Sequence, residues 1–154
     1  MNETTGIIRA IAWRPVDGAP MQETDACRVR RNTGLDTENR KPGKRSVTLL
    51  SLEAWRDVCR ELGAELPWTT RRANFLVEGL DFSAAVGRPV RIGPVRVWIH
   101  GESKPCEIMD RQFAGLRRVL AVDMRGGIYG QTLNDGTIRV GDAVVIEPSA
   151  PAET

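Results

Sequence analysis

A thiol follows a proline and sits one residue from a lysine in the stretch Gly101-Glu102-Ser103-Lys104-Pro105-Cys106-Glu107-Ile108-Met109-Asp110. Proline fixes its own φ and holds the preceding residue extended, so Lys104-Pro105 is expected to form a stiff loop that presents Cys106 in one orientation. A neighbouring ammonium and a helix start both favour the thiolate, which is the form that attacks electrophiles and binds metals. Cys106 is therefore the candidate nucleophile or metal ligand, with Lys104 as its cationic neighbour. A single unpaired cysteine is weak evidence, and a loop thiol with no chemistry stands beside this reading.

Three basic motifs could surround it: Lys44-Arg45-Ser46, Arg71-Arg72-Ala73-Asn74 and Arg125-Gly126-Gly127. Arginine offers a planar fork matched to phosphate or carboxylate, and Ser46 and Asn74 add hydrogen bonds. The Gly126-Gly127 pair lets backbone N–H groups approach an anion that a Cβ would keep away. Converging on Cys106, these groups would make a thiol beside an anion cradle; scattered, they are solvated surface charge. Other chemistries find no support. The single histidine, His100, six residues before Cys106, is read as a strand-end residue, and no Cys-His-Asp signature surrounds it. No CxxC pair, dinucleotide-binding glycine run, Walker motif or EF-hand loop occurs.

The chain has 154 residues, 41% hydrophobic and 27% charged, the profile of one globular domain able to bury a core. A net charge of +2 provides no global field for nucleic acid, and no apolar run approaches membrane-spanning length. Met1-Asn2-Glu3-Thr4-Thr5 lacks the basic-then-apolar pattern of a signal peptide. Three cysteines without a framework spacing fit a reducing, cytoplasmic setting. The expected organisation is one domain over 1–147 and a disordered tail over 148–154.

The elements that must position these residues are mostly strands. Gly6–Arg14 reads as a buried first strand, Asp25–Arg31 as a short second one and Thr33–Lys44 as an exposed, charged loop. Lys44–Leu50 returns to strand. Ser51 then caps a helix with Leu52, Trp55, Val58, Cys59 and Leu62 on one stripe, ended by Gly63. Cys59 is thereby a packed hydrophobe. Pro89–Ile92 and Val95–His100 are strands joined at Gly93-Pro94. Asp110 caps a helix that turns Phe113, Leu116, Val119 and Leu120 inward and leaves Arg117-Arg118 in water. Ile128–Leu133, Asn134-Asp135-Gly136 and Thr137–Val140 read as a hairpin. Short, closely spaced strands with two helices predict a mostly β domain, a barrel above all.

With these segments in order, the sequence resembles a MOSC domain, the module named for the C-terminal part of molybdenum cofactor sulfurases. The resemblance rests on Gly6-Ile7-Ile8, Lys44 to Glu53, Arg72 to Asp81, Gly87 to Ile92, Lys104-Pro105-Cys106, Arg125 to Tyr129 and Gly136-Thr137-Ile138-Arg139-Val140-Gly141-Asp142. Gly34-Leu35-Asp36 matches a family turn only loosely. The resemblance implies a β-barrel and a role around the molybdenum cofactor (molybdopterin). Cys106 would be sulfur carrier or metal ligand. Arg45, Ser46, Arg72, Asn74 and Arg125 would grip the pterin and its phosphate, with Lys104 and Gly126 beside them. A cysteine desulfurase or a redox protein would be the partner. The shortness of the chain implies a stand-alone module. A small reductase of N-hydroxylated compounds and a non-catalytic barrel module are the other expectations.

Overall fold

The computed structural model describes residues 5–148; the tail expected over 148–154 lies outside the described residues save for Pro148. The strands are β1 (Thr5–Trp13), β2 (Gln22–Thr24), β3 (Ala26–Arg30), β4 (Gly34–Leu35), β5 (Val47–Ser51), β6 (Phe75–Glu78), β7 (Pro89–Ile92), β8 (Val95–Glu102), β9 (Ile128–Thr132), β10 (Gly136–Arg139) and β11 (Ala143–Ile146). The helices are α1 (Leu52–Leu62), α2 (Phe82–Ala85), α3 (Glu107–Gln112) and α4 (Leu116–Leu120). Seven strands close a barrel in the order β11-β7-β8-β9-β5-β6-β1, with β1 returning to β11 and β2 flanking β1. Closure removes the open edges that would otherwise template aggregation. The barrel interior is filled by alternate residues of its strands, including Ile8, Leu49, Phe75, Val97, Ile99 and Ile128, all 1% exposed or less.

One pairing in the ring decides where the basic motifs lie. β5 and β6 are parallel, with Leu49 opposite Phe75. A parallel pair needs a crossover, and α1 provides it. The crossover forms because Ser51 Oγ accepts a hydrogen bond from Ala54 N at 3.1 Å, and because Gly63, at φ 66°, stops the helix in the left-handed region. The helix buries Trp55 and Val58 against a second apolar cluster with Leu50, Leu76, Leu116 and Leu120, outside the barrel. Parallel strands enter from the same end. The segments leading into β5 (Arg45-Ser46) and β6 (Arg71 to Asn74) are therefore neighbours by topology.

The strand expected over Asp25–Arg31 is β3 (Ala26–Arg30), preceded by the further short strand β2. Three other local readings change. The charged stretch Thr33–Lys44 is not simply an exposed loop: Gly34 and Leu35 pair with β3, and a 3₁₀ turn over Asp36–Glu38 buries the Glu38 side chain. The strands flanking Asn134-Asp135-Gly136 do not pair with each other. β9 lies between β5 and β8, whereas β10 joins β3 in a second sheet. The turn is held by other parts of the chain: Asn134 Oδ1 accepts from Arg96 N and Asp135 Oδ1 from Arg31 N, which steers β10 away from β9. The helix expected after Asp110 is broken at Gly115, φ 89°, into α3 and α4, and Asp110 Oδ1 accepts from Arg117 N at the start of α4. Arg117 and Arg118 are exposed as expected.

Gly127 and Gly63 give a paired test of this architecture. Both have positive φ, but an added Cβ at Gly127 would collide with the Leu49 carbonyl of β5, while the space at Gly63 is open. Gly127→Ala should lower unfolding free energy by about 3 kcal/mol and Gly63→Ala by about 1 kcal/mol, measured by urea denaturation.

Candidate functional site

The chain entering β6 sits against the end of β1, because these strands are antiparallel with Ile11 opposite Phe75. Arg14, just past β1, thus joins Arg71 and Arg72. β8 runs antiparallel to β9 with Glu102 opposite Ile128, which lays the cysteine loop along Gly126-Gly127. Ser103 N donates to Gly127 O at 2.8 Å. Together these segments enclose a cleft of about 430 Å³ lined by five arginines, Arg14, Arg40, Arg45, Arg71 and Arg72, with Cys106 and Gly126 in the same wall. The lining also includes the carboxylate of Asp17, with Thr48, Ser103, Ile108 and Met109.

Arg71 ties the cysteine loop in place. Its Nε donates to Gly126 O at 3.0 Å and its Nη2 to Ser103 O at 2.8 Å, with the Ser103 hydroxyl at 3.3 Å. The close approach needs glycine: a Cβ on Gly126 would lie 2.5 Å from Ser103 O and 3.2 Å from Arg71 Nη2. Burial holds Arg71 below the usual guanidinium range; a negative Cys106 opposes this and the charge of Arg45 adds to it. Arg45 lies over the Tyr129 ring, 4.3 Å from its centroid, and donates to Ser103 Oγ at 3.2 Å. That is a cation–π contact that aims the fork without neutralising it.

The opposite wall is built from Arg14, Arg40 and Arg72. Burial, then the charge of Arg72, hold Arg14 below its usual range; Arg40 adds to the effect and Asp17 opposes it. Arg72 adopts φ 69°, rare for a residue with a Cβ, and its Nε is buried with no hydrogen-bond partner. A strained backbone and an orphaned donor each cost free energy, on the order of 1–3 kcal/mol. Arg40 Nε donates to Glu38 Oε1 at 2.7 Å, and the Glu38 side chain is only 3% exposed. Among the described residues, Arg45, Arg71 and Arg72 form no ion pair with a carboxylate. Like charges crowded without counterions attract an anion strongly.

The structure brings Cys106, Arg45, Arg72 and Gly126 together. It does not bring the other expected residues to the cleft. Ser46 is fully buried, and its hydroxyl donates to Asn32 O and Gly43 O. Asn74 is also buried, behind the cleft: its Nδ2 donates to Ala12 O and Glu38 Oε2, and its Oδ1 accepts from Thr48 N. Arg125 turns outward to Glu61, 2.6 Å away, and that hydrogen bond raises its already high pKa. Lys104 is exposed and outside the cleft lining. His100 stacks on Tyr129 and contacts Gln131 at 3.1 Å instead of reaching Cys106. Arg14 gives no motif signal, because only the β1–β6 pairing places it. Arg71 and Arg40 lie in the motif and loop flagged by sequence, but which arginine of the Arg71-Arg72 pair faces which group depends on the left-handed turn between them.

A closed mostly β barrel carrying an arginine cleft with a thiol in its wall defines the class. The chain belongs to the MOSC domain family, whose sequence profile matches residues 24–145. No curated protein matches it. Among solved structures, it is similar to the YUAD protein from Bacillus subtilis, with a TM-score of 0.75 at 16% identity over 92% of this chain and 95% of that one. YiiM from Escherichia coli superposes with a TM-score of 0.74 at 12% identity, over 94% and 71%. YiiM from Geobacillus stearothermophilus gives 0.71 at 16% identity, over 95% and 75%. At these identities the likeness concerns the fold. Among the described residues, no helix is long and apolar enough to cross a membrane, and no group of three or more His, Cys, Asp or Glu side chains forms a metal site.

The three thiols differ sharply in setting. Cys106 is exposed, Cys59 is half-buried with Sγ 3.7 Å from Leu66 O, and Cys27 is buried on β3 opposite Ile138 of β10. Burial, aided by the Glu38 charge, pushes the Cys27 thiol up from 9.0 to about 12. Neutral-pH alkylation followed by mass spectrometry should label Cys106 first, Cys59 more slowly and Cys27 only on unfolding. The raised Cys27 value also fixes a sign: the unfolded chain releases that proton near pH 9.0 and the folded chain near 12, so its contribution to stability falls with rising pH across that window.

Proposed function

We propose that this MOSC protein binds the molybdenum cofactor, or carries sulfur for it, through Cys106. The observation that supports this best is an exposed thiol in the wall of a cleft in which, among the described residues, Arg45, Arg71 and Arg72 lack carboxylate partners, with the Arg72 Nε buried and unpaired. These residues fit a phosphorylated pterin with a thiophilic metal: Arg14 and Arg72 would take the phosphate, and Arg45 and Arg71 the face towards the thiol. When bound, the cofactor supplies a metal that a soft thiolate can ligate. Gly126 leaves room for backbone approach, and Arg71 fixes the loop that aims Cys106. Ile108 and Met109 give the thiol side an apolar lining.

As a sulfur carrier, the Cys106 thiolate attacks the outer sulfur of a donor persulfide. A new S–S bond forms at Cys106 and the donor leaves as a thiolate, with no external oxidant consumed. A cysteine desulfurase would be such a donor, and a redox protein would be the partner of a reductase acting on N-hydroxylated compounds.

The test is elemental analysis and intact mass on protein from a host that makes the cofactor, beside Cys106→Ala. Molybdenum in the wild type and not in the variant makes Cys106 a ligand. Added sulfur mass on Cys106 without metal selects carriage. Neither signal on either protein discards the proposal and leaves a non-catalytic barrel module. A second test uses the strained arginine. Arg72→Gly should weaken inorganic phosphate binding by about tenfold, as expected for loss of a charge-assisted contact, yet raise the unfolding midpoint by relieving the left-handed backbone and the orphaned donor. Unchanged affinity removes Arg72 from the cradle.

A further inference from the structure

The arginine cleft does not end at its own wall. A second cavity of about 460 Å³ adjoins it and shares Arg14, Asp17, Arg40 and Arg45, so these side chains stand between the two spaces. Its outer lining adds Lys41, Asn39, Pro15 and Val16. Two carboxylates are present, each beside one arginine, which leaves Arg45 and Lys41 as the groove's cations without a carboxylate partner among the described residues. Glu38 is engaged by Arg40 at 2.7 Å and by Asn74 and the Arg14 backbone. Asp17 is wholly exposed, 3.3 Å from Arg14, where water screens the pair. Among the described residues Lys41 has no ion-pair partner. Val16 is 66% exposed and, with Pro15, provides a bare apolar surface beyond the cations.

We propose that this adjoining groove is a second phosphate subsite, so that the cleft takes a diphosphate ester rather than a terminal monophosphate; this rests on reading the cleft as the anion site of the proposed function. Two phosphates joined by one oxygen need two cationic positions sharing a boundary, and the shared arginines supply it. The first phosphate lies against Arg72 and Arg14. The second lies against Arg40, Arg45 and Lys41. The group esterified beyond it, a nucleoside or similar ring system, rests on Pro15 and Val16.

Calorimetric titration of the purified protein with inorganic phosphate and pyrophosphate at one ionic strength tests this. Pyrophosphate should bind about tenfold tighter than phosphate, the increment of one added charge-assisted contact. Lys41→Ala, at an exposed position, should bring pyrophosphate to within about threefold of phosphate and leave phosphate unchanged. Equal affinities for the two ligands, or a Lys41→Ala change that weakens both alike as a general field effect would, overturns the subsite. The titration uses no metal. Molybdenum bound to Cys106 with no pyrophosphate preference defeats this inference alone, and a pyrophosphate preference in protein that takes up neither molybdenum nor sulfur defeats only the proposed function.

Discussion

The site depends on one buried amide. Asn74 joins three barrel strands and a loop: its Nδ2 reaches Ala12 O of β1 at 3.3 Å and Glu38 Oε2 at 3.1 Å, and its Oδ1 accepts from Thr48 N of β5 at 3.1 Å. Its backbone N donates to Thr48 Oγ1 at 3.1 Å, which closes the exchange with β5. Glu38, so held, receives Arg40 Nε and the Arg14 backbone N. A charge buried this deeply is tolerable only with its partners in place. Asn74 therefore fixes the arginines of the far wall without touching the cleft.

Arg71 performs the matching task on the near wall. A guanidinium that donates to the Gly126 and Ser103 carbonyls is spent on structure, yet it keeps its charge beside Cys106. The same group thus orients the thiol loop and places a cation in the wall that carries the sulfur. Arg45 is aimed by Tyr129, which stacks with His100. The result is a rigid cradle of repelling cations, stable because the closed barrel and the outer apolar cluster beneath α1 and α4 over-determine it. Arg72 shows the cost most plainly, with a left-handed backbone and an orphaned Nε at the cleft wall. Such strain persists only where the surrounding structure over-determines it.

Much of this was legible in residue order. Alternation in Val95 to Ile99, the Ser51 cap, the Gly63 stop and the close strand spacing all follow from local stereochemistry, and they sufficed for a mostly β barrel with a helix after β5. The Pro105-Cys106 loop and the arginine motifs stood out by composition. The hairpin at Asn134-Asp135-Gly136 misled because turn chemistry sets a reversal of the chain, whereas pairing is decided by which strand edge is available. With β9 between β5 and β8, only β3 was left for β10.

By itself the sequence determined the periodicities, the caps, the cysteine loop and the family pattern, since each is written in neighbouring residues. Tertiary structure alone decided which cations face the thiol. Ser46 and Arg125 belong to prominent motifs but point to Asn32 and Gly43, and to Glu61, while Arg14, in no motif, enters the cleft because β1 ends beside β6. A side chain's direction at a strand end follows from register and from the one left-handed residue before β6, and neither is a property of the residue's type.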